Sequence, residues 1–548
     1  MSAIPSPHDY GLPHDTWRTS QFESVQWGLS LIDSYNLNNK VVGITCQPVG
    51  SGKSGFARAI SSKYSTIAAC RTKNLQSTIY SQYGFNILYG RANYDCIHKY
   101  SQEGDTCATC MYDSEGMDKC CYANECYYLV AKNAARRDGK ASLNYSYLLT
   151  ANWPRRDPPM YLICDEAHLL SDLTLDWVGC EITMKDVKEF YLGQPPVIEY
   201  MEGLSLFHRH DPCQQAVIYL RECIRAIHKQ IISLSKHLKS QSNGPTVKRR
   251  LSRAQNLLSS LQATVKAIET NSSEWYVISG PGVIHSRVGP EPGFVAKPLT
   301  ARYHFPSLFV HSPVTICMSG TIGDPKTFAT ELGLKDYQYR SVPSNWPPET
   351  RPIHVLDVPH LNYRSTEKEY AQQADAMSKA ILACPHDWSG IIHVTRKREA
   401  PLLAERLAHR GLQDRVFVTP DGATDAQMAA WQEHKQKTNG QYGGQLCIAW
   451  SMTEGVDLLD EKICLTAKVP FPDTSDPYEK ARLGYSHSFY AQRSAWTLMQ
   501  SLARTRRGFE EDYNMNGEKR QLVCIADGAW RRIEKYLDPD FLDSIVGG

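Results

Sequence analysis

The sequence predicts an α/β protein built from two parallel-sheet units, and three observations carry that reading. KVVGITCQPVGSGKSGFARAI (40–60) runs from a β-rich apolar stretch through a glycine loop into a helical pattern. YLICDEAHLL (161–170) reads as a second buried strand that ends in carboxylates. After residue 310 the alternation resumes, with VTICMSGTI, SGIIHVT, RVFVTP, QLCIAWSMTEGVDL and QLVCIADG as strands and helical stretches near 366–383 and 398–411. Apolar runs alternating with helices indicate strands covered on both faces.

Composition agrees with a multidomain globular chain. At roughly 100–200 residues per domain, 548 residues suggest three to five domains or subdomains. Hydrophobic residues at 42% and charged residues at 22% exclude a disordered or fibrous chain. The net charge of +2 neither demands nor excludes nucleic acid, because only the placement of charge decides that. No apolar run reaches the ~18–20 residues of a membrane helix. The start, MSAIPSPHDYGLPHD, has no basic, apolar leader, so a cytoplasmic chain is expected, nucleoid-associated or nuclear according to the cell.

Taken in order, the first ordered segment is expected around Trp17 to Ile32. The stretch 64–90 alternates apolar runs with turns, and 91–126 is loop-like. Within 217–268, Val217, Leu220, Ile224, Ile227, Ile231, Leu234 and Leu238 recur at threes and fours. Leu251, Ala254, Leu258, Leu261, Val265 and Ile268 repeat the pattern after Gly244-Pro245. Such spacing predicts an antiparallel helical hairpin, either ordinary core helices or a protruding arch. The basic group Lys248, Arg249, Arg250 and Arg253 at its turn reads as a solvated face.

Three motifs carry chemistry. In QPVGSGKS, Gly50, Ser51 and Gly52 let backbone N–H groups approach a phosphate, and the following helix N-terminus favours negative charge. Lys53 is placed for β/γ-phosphates and Ser54 for Mg²⁺. In Asp165-Glu166-Ala167-His168, a strand end presents Asp165 as the Mg²⁺ partner and Glu166 as the residue that polarises water. In QSLARTRR, Arg504 and Arg507 are three apart, hence on one helical face with Gln500 nearby, and can neutralise a transferring phosphate.

These motifs, in this order, resemble superfamily 2 helicases. TKNLQSTIY (72–80) is similar to a motif that grips the DNA backbone, and MSGTIGDP (318–325) to one that couples two ATPase halves. GIIHVTRK (390–397) and SMTEGVDL (451–458), with Gly455 and Asp457, resemble motifs of the second half. KVPFPDTSDP (468–477), GRANYDC (90–96) and CYYLVAK (126–132) resemble the iron–sulfur helicases of the XPD/DinG type, over about residues 15–530. Gln47, Ala503 and Tyr127 depart from the family pattern without removing a catalytic side chain. The resemblance implies two RecA-like motor domains, the first carrying a 4Fe–4S cluster insertion and a helical arch insertion. The expected boundaries are 1–90 with 151–171 and 306–325 for the first motor, 91–150 for the cluster, 172–305 for the arch and 326–548 for the second motor. It further implies ATP hydrolysis, 5′→3′ movement on single-stranded DNA, forked or tailed duplex as substrate, and a monomer. Gln21 in WRTSQ stands where this superfamily reads adenine. A regulatory ATPase with a redox-sensing cluster and an RNA-directed motor are the alternative functions. No nuclease domain is expected.

Six of the 17 cysteines fall within 96–126, where the chain average would put about one. In a reducing compartment such a cluster reads as a metal site. The resemblance matches Cys96 and Cys126 to cluster ligands, with Cys107 and Cys110 as the middle pair. Cys120 or Cys121 competes for a middle position, and a Cys₄ zinc site has the same spacing. Lys132, Arg136, Arg137, Lys140, Arg155 and Arg156, among Tyr145, Tyr147 and Trp153, suit a single strand or a merely solvated face.

Overall fold

A computed structural model describes the chain except residues 1–4, 36–39, 49–50, 99–105, 110–118, 151–159, 200–210, 241–244, 287–288, 363, 423, 439, 451, 453–460, 504–520 and 548. Five parallel strands come first: β1 (Val41–Cys46), β2 (Thr66–Cys70), β3 (Asn86–Leu88), β4 (Lys140–Asn144) and β5 (Tyr161–Asp165). β6 (Cys180–Thr183), β7 (Trp275–Ser286) and β8 (Gly289–Pro298) form a separate antiparallel sheet in the order β6-β8-β7. β9 (Val314–Ser319) and β10 (Gln338–Ser341) then rejoin the first sheet, whose order is β10-β1-β9-β5-β2-β4-β3. The β2 positions are all buried, as are all those of β9, which is why both read as unbroken apolar runs.

The second parallel sheet holds β11 (Ile353–Val355), β12 (Gly390–His393), β13 (Val416–Val418), β14 (Leu446–Ala449), β15 (Ile463–Thr466), β16 (Leu522–Ile525) and β17 (Ile545–Val546). Its order is β13-β14-β12-β15-β16-β11-β17. The two seven-stranded sheets are the two RecA-like units expected from the sequence. Cys46, Cys164, Cys317 and Cys447 are buried strand residues, as their apolar surroundings suggested.

Two expected boundaries move. β4 falls within 91–150 but pairs with β2 and β3 inside the first sheet. β10 falls after residue 325 but pairs with β1, so the first unit runs through Ser341. Neither strand announces itself: KASLN buries only its three central residues, and the edge strand QYRS buries none.

The helices Pro212–Ser240 and Pro245–Thr270 each start on a proline, whose fixed φ suits the first helical position. Leu220, Cys223 and Ile227 face Ala254, Leu261, Val265 and Ile268, and this root closes over Val277, Phe294 and Ala296 of the antiparallel sheet. Past Ile227, no described side chain through 237 is fully buried, nor is any over 246–253. The root is thus core and the tip is a protrusion. Arg250 and Arg253 are not merely solvated, contrary to expectation. Arg253 pairs with Asp186 at 2.6 Å and with Glu189, and Arg250 donates to the Glu189 backbone oxygen, tying the hairpin to the helix Met184–Phe190. No helix among the described residues is long and apolar enough to cross a membrane.

Candidate active site and metal centre

In the first sheet β1, β9 and β5 are neighbours, although they end at residues 46, 319 and 165. Cys46 lies opposite Ser319, and Asp165 opposite Met318. The glycine loop, the acidic tetrad and the MSGTIGDP segment therefore meet at one carboxyl edge, where parallel sheets bind ligands. Gly52 has φ +92°, a conformation that side chains resist, and the helix Lys53–Lys63 starts on it. A Cβ at Gly52 would lie 2.8 Å from Gln21 Nε2. Gln21 is buried, and its Oε1 lies 3.1 Å from His14 Nε2, so it braces the loop from the N-terminal side. The Ser51 hydroxyl is buried with no hydrogen-bond partner among the described residues. Lys53 Nζ reaches the Gln47 carbonyl only at 3.5 Å, and Ser54 is half-buried in the first helical turn. Gly50 lies outside the described residues.

Asp165 is buried at the end of β5. The Tyr80 hydroxyl donates to its Oδ2 at 2.7 Å, and the Glu166 N–H to its Oδ1 at 2.9 Å. Burial and the adjacent Glu166 push its carboxyl above the usual range, and the Lys53 ammonium across the site opposes them. Lys53 and Asp165 are thus within electrostatic reach, as a shared phosphate–metal site requires. Glu166 adopts φ 52°, a left-handed conformation unusual for a side chain. Its Oε2 lies 3.4 Å from His168 Nδ1.

From His168 a polar chain crosses to the second unit. His168 Nδ1 lies 2.9 Å from Ser319 Oγ, which accepts from the Thr321 N–H at 3.2 Å. Gln500 Nε2 then donates to Thr321 Oγ1 at 3.0 Å. Gln500 sits near the end of the helix His487–Leu502, so the expected arginines follow it. Arg504, Arg507, Gly455 and Asp457 lie outside the described residues.

Charged residues that the motifs did not point to reinforce this seam. Buried Arg482 pairs with Asp172 at 2.9 Å, and Arg493 with Glu479 at 2.6 Å. Burial alone would raise the Asp172 carboxyl, but Arg493 and Arg482 overcome it and hold it at about 2. Asp538 is buried too, accepting from the Gly323 N–H at 2.7 Å, and burial raises it to about 7. Only Tyr80 had a signal in the sequence, as the last residue of TKNLQSTIY. Asp172, Arg482, Arg493 and Asp538 had none.

Cys107 Sγ and Cys126 Sγ lie 3.7 Å apart. Burial first, then Cys126 and nearby Cys96, push the Cys107 thiol up to about 12. The two thiols in contact suit a thiolate-bound metal, since a cation offsets the cost of ionising them together, with Cys96 within electrostatic reach but not in the same close group. Cys110 lies outside the described residues. The ligating atoms of Cys120 and Cys121 lie within 4.8 Å of each other and of His98.

The basic and aromatic stretch is only partly a surface. Tyr145 and Tyr147 are buried, which removes them as base-stacking platforms. The Tyr145 hydroxyl donates to the Asp165 carbonyl at 2.5 Å, and the Tyr147 hydroxyl lies 2.8 Å from that of Tyr128. Lys132 stands over the Tyr128 ring, Arg137 pairs with exposed Asp138, and Lys140 opens β4. Arg136 is half-buried on the helix Tyr127–Arg137. Trp153, Arg155 and Arg156 lie outside the described residues.

No family model matches the sequence, and no curated protein matches it. Solved structures do. An apo XPD structure shares 14% identity at a TM-score of 0.51, over 94% of this chain and 98% of that one. An XPD helicase structure shares 12% identity at a TM-score of 0.54, over 95% of this chain and 98% of that one. At this identity the likeness is one of fold, and it extends over nearly the whole chain: two RecA-like sheets arranged as in XPD helicase structures.

Proposed function

We propose that the protein is an ATP-dependent DNA helicase that moves 5′→3′ on a single strand and opens tailed or forked duplex. The observation that carries this reading is the meeting of Lys53, Asp165, Glu166 and Thr321 at one sheet edge, with Gln500 reaching in from the second unit. Gly50, Ser51 and Gly52 would cradle the ATP phosphates, and Gln21 would read adenine beside the loop. Ser54 and Asp165 would hold Mg²⁺, which spreads phosphate charge when bound. Glu166 would orient the attacking water, and Arg504, Arg507, Gly455 and Asp457 would complete the site from the second unit. Closure on ATP tightens the Thr321–Gln500 seam and release loosens it, so hydrolysis steps one unit along the strand.

Cys96, Cys107, Cys110 and Cys126 would hold a 4Fe–4S cluster, which when bound ties four points of a loop-rich segment together. DNA preference and direction rest on the resemblance of the motifs to the XPD/DinG branch. The likeness in fold to XPD structures and the contact between the Cys107 and Cys126 thiols support it.

The test is unwinding of 5′-tailed and 3′-tailed DNA duplexes side by side, with Lys53→Ala as the inactive control. Opening of the 5′-tailed duplex alone is the expected result. Equal stimulation by single-stranded RNA with RNA duplex opening would make it an RNA motor. ATP binding without turnover would make it a regulatory ATPase.

A further inference from the structure

We infer that His98, Cys120 and Cys121 form a second metal site beside the proposed cluster, built for a single zinc ion. Among the described residues, the possible soft ligands of this segment fall into two groups that share no residue. Cys107 and Cys126 are in contact, with Cys96 near them. The ligating atoms of His98, Cys120 and Cys121 all lie within 4.8 Å of one another. A tetrahedral zinc with Zn–S near 2.3 Å and Zn–N near 2.0–2.1 Å holds its donors about 3.5–3.8 Å apart. The observed spread is thus a small contraction away from coordination.

The surroundings suit a built site. His98 is 6% exposed, and its ring stands edge-on to Tyr122 with centroids 5.5 Å apart, which limits imidazole rotation. The dithiol sits on a defined turn, where Ala123 N–H donates to the Cys120 carbonyl and Cys126 N–H to that of Tyr122, both at 2.9 Å. That turn runs directly into the helix Tyr127–Arg137, so the two donor groups are held on adjoining backbone. Cys120 is half-buried and Cys121 exposed, which gives an ion a route from solvent.

The donor set selects the ion. One imidazole and two thiolates suit zinc over the oxygen-seeking Mg²⁺ or Ca²⁺. Three protein ligands leave a fourth position for water or a further donor. Binding forms one Zn–N and two Zn–S bonds, and the two thiol protons pass to solvent. The zinc would brace the stretch between Cys96 and Cys126. The iron arms of the test rest on the proposed cluster, whereas the zinc and cobalt arms stand without it.

The test is metal analysis of the full chain purified without oxygen from zinc- and iron-supplemented cells. The parent should hold about one zinc per chain in addition to iron. His98→Gln and the double variant Cys120→Ser/Cys121→Ser should lose most of the zinc, by about tenfold, and keep the iron. Cys107→Ser should lose iron and keep zinc. Cobalt offered to the parent in place of zinc should show the visible bands of a tetrahedral sulfur-ligated ion, a readout independent of any variant. A parent without zinc that gives no such cobalt spectrum overturns the proposal. So does a dithiol variant that loses iron instead of zinc, which would assign Cys120 or Cys121 to the cluster.

Discussion

The Gln500 side-chain amide donates a 3.0 Å hydrogen bond to the Thr321 hydroxyl, joining the helix His487–Leu502 to the loop after β9. Thr321 is buried and its N–H rests on Ser319, which in turn contacts His168 of the acidic tetrad. The contact therefore links the β5 edge of the first sheet to the second unit through His168, Ser319, Thr321 and Gln500. Trp496 and Gln492, from the same helix, donate to the Ile322 carbonyl at 2.9 and 3.2 Å, so the seam has more than one anchor.

Thr321→Val should uncouple the units while leaving them folded. Valine keeps the shape but removes the acceptor, leaving the Gln500 amide one partner short at about 1–3 kcal/mol. DNA-stimulated ATPase should fall about tenfold, with ATP affinity in the absence of DNA close to that of the parent. Nucleotide titration alongside steady-state turnover checks both arms. Unchanged stimulation would mean the seam is structural only.

Glu166→Gln should bind ATP and fail to hydrolyse it. The amide preserves volume and loses the charge proposed to orient water, an expected loss of about 100- to 10,000-fold in rate. Retained nucleotide binding with almost no hydrolysis in a single-turnover assay is the expected pattern. Parent-like turnover would move the water-activating role to another residue.

Cys126→Ser should remove iron and duplex opening but leave appreciable ATPase. Cys126 caps the helix Tyr127–Arg137 and contacts Cys107, whereas Lys53 and Glu166 lie on separate loops of the sheet edge. The segment around the thiols has few apolar residues of its own and would depend on metal bonds for its shape. Iron content, ATPase and unwinding measured on one preparation decide it. Full unwinding without iron would remove the cluster from strand separation.

Asp538→Asn should stabilise the protein relative to the parent by an amount that grows as pH rises from about 4 to about 7. Burial raises the Asp538 carboxyl to about 7, against about 3.9 in an unfolded chain. Between those values the folded state holds a proton that the unfolded state has lost, so stability falls as pH rises. Above about 7 the loss is complete, up to about 4 kcal/mol. Asparagine keeps an acceptor for the Gly323 N–H, which Asp538 takes at 2.7 Å. Thermal melts at pH 5 and pH 8 should show the gap between variant and parent widening at pH 8. A gap independent of pH would rule out titration of Asp538.

The sequence by itself determined the two α/β units, the glycine loop after the first strand, the acidic tetrad and the crowding of cysteines within 96–126. Each is local: a buried parallel strand is an unbroken apolar run, and a tight glycine turn is written in a few neighbouring residues. What the tertiary structure decided is every relationship that depends on strand order. β9 lies between β1 and β5, and only that placement brings Ser319 and Thr321 to Asp165 and the glycine loop. Burial was settled the same way. Tyr145 and Tyr147 looked like exposed rings among basic residues, but β4 joins the first sheet and turns both inward. Asp538 lies 215 positions from the Gly323 amide it accepts from, and no local pattern marks a carboxylate whose partner is supplied by another sheet. The cysteines divide along the same line. Their number and spacing are sequence facts, but the pairing of Cys107 with Cys126, and of His98 with Cys120 and Cys121, comes from the folding of loops that carry no periodicity to read.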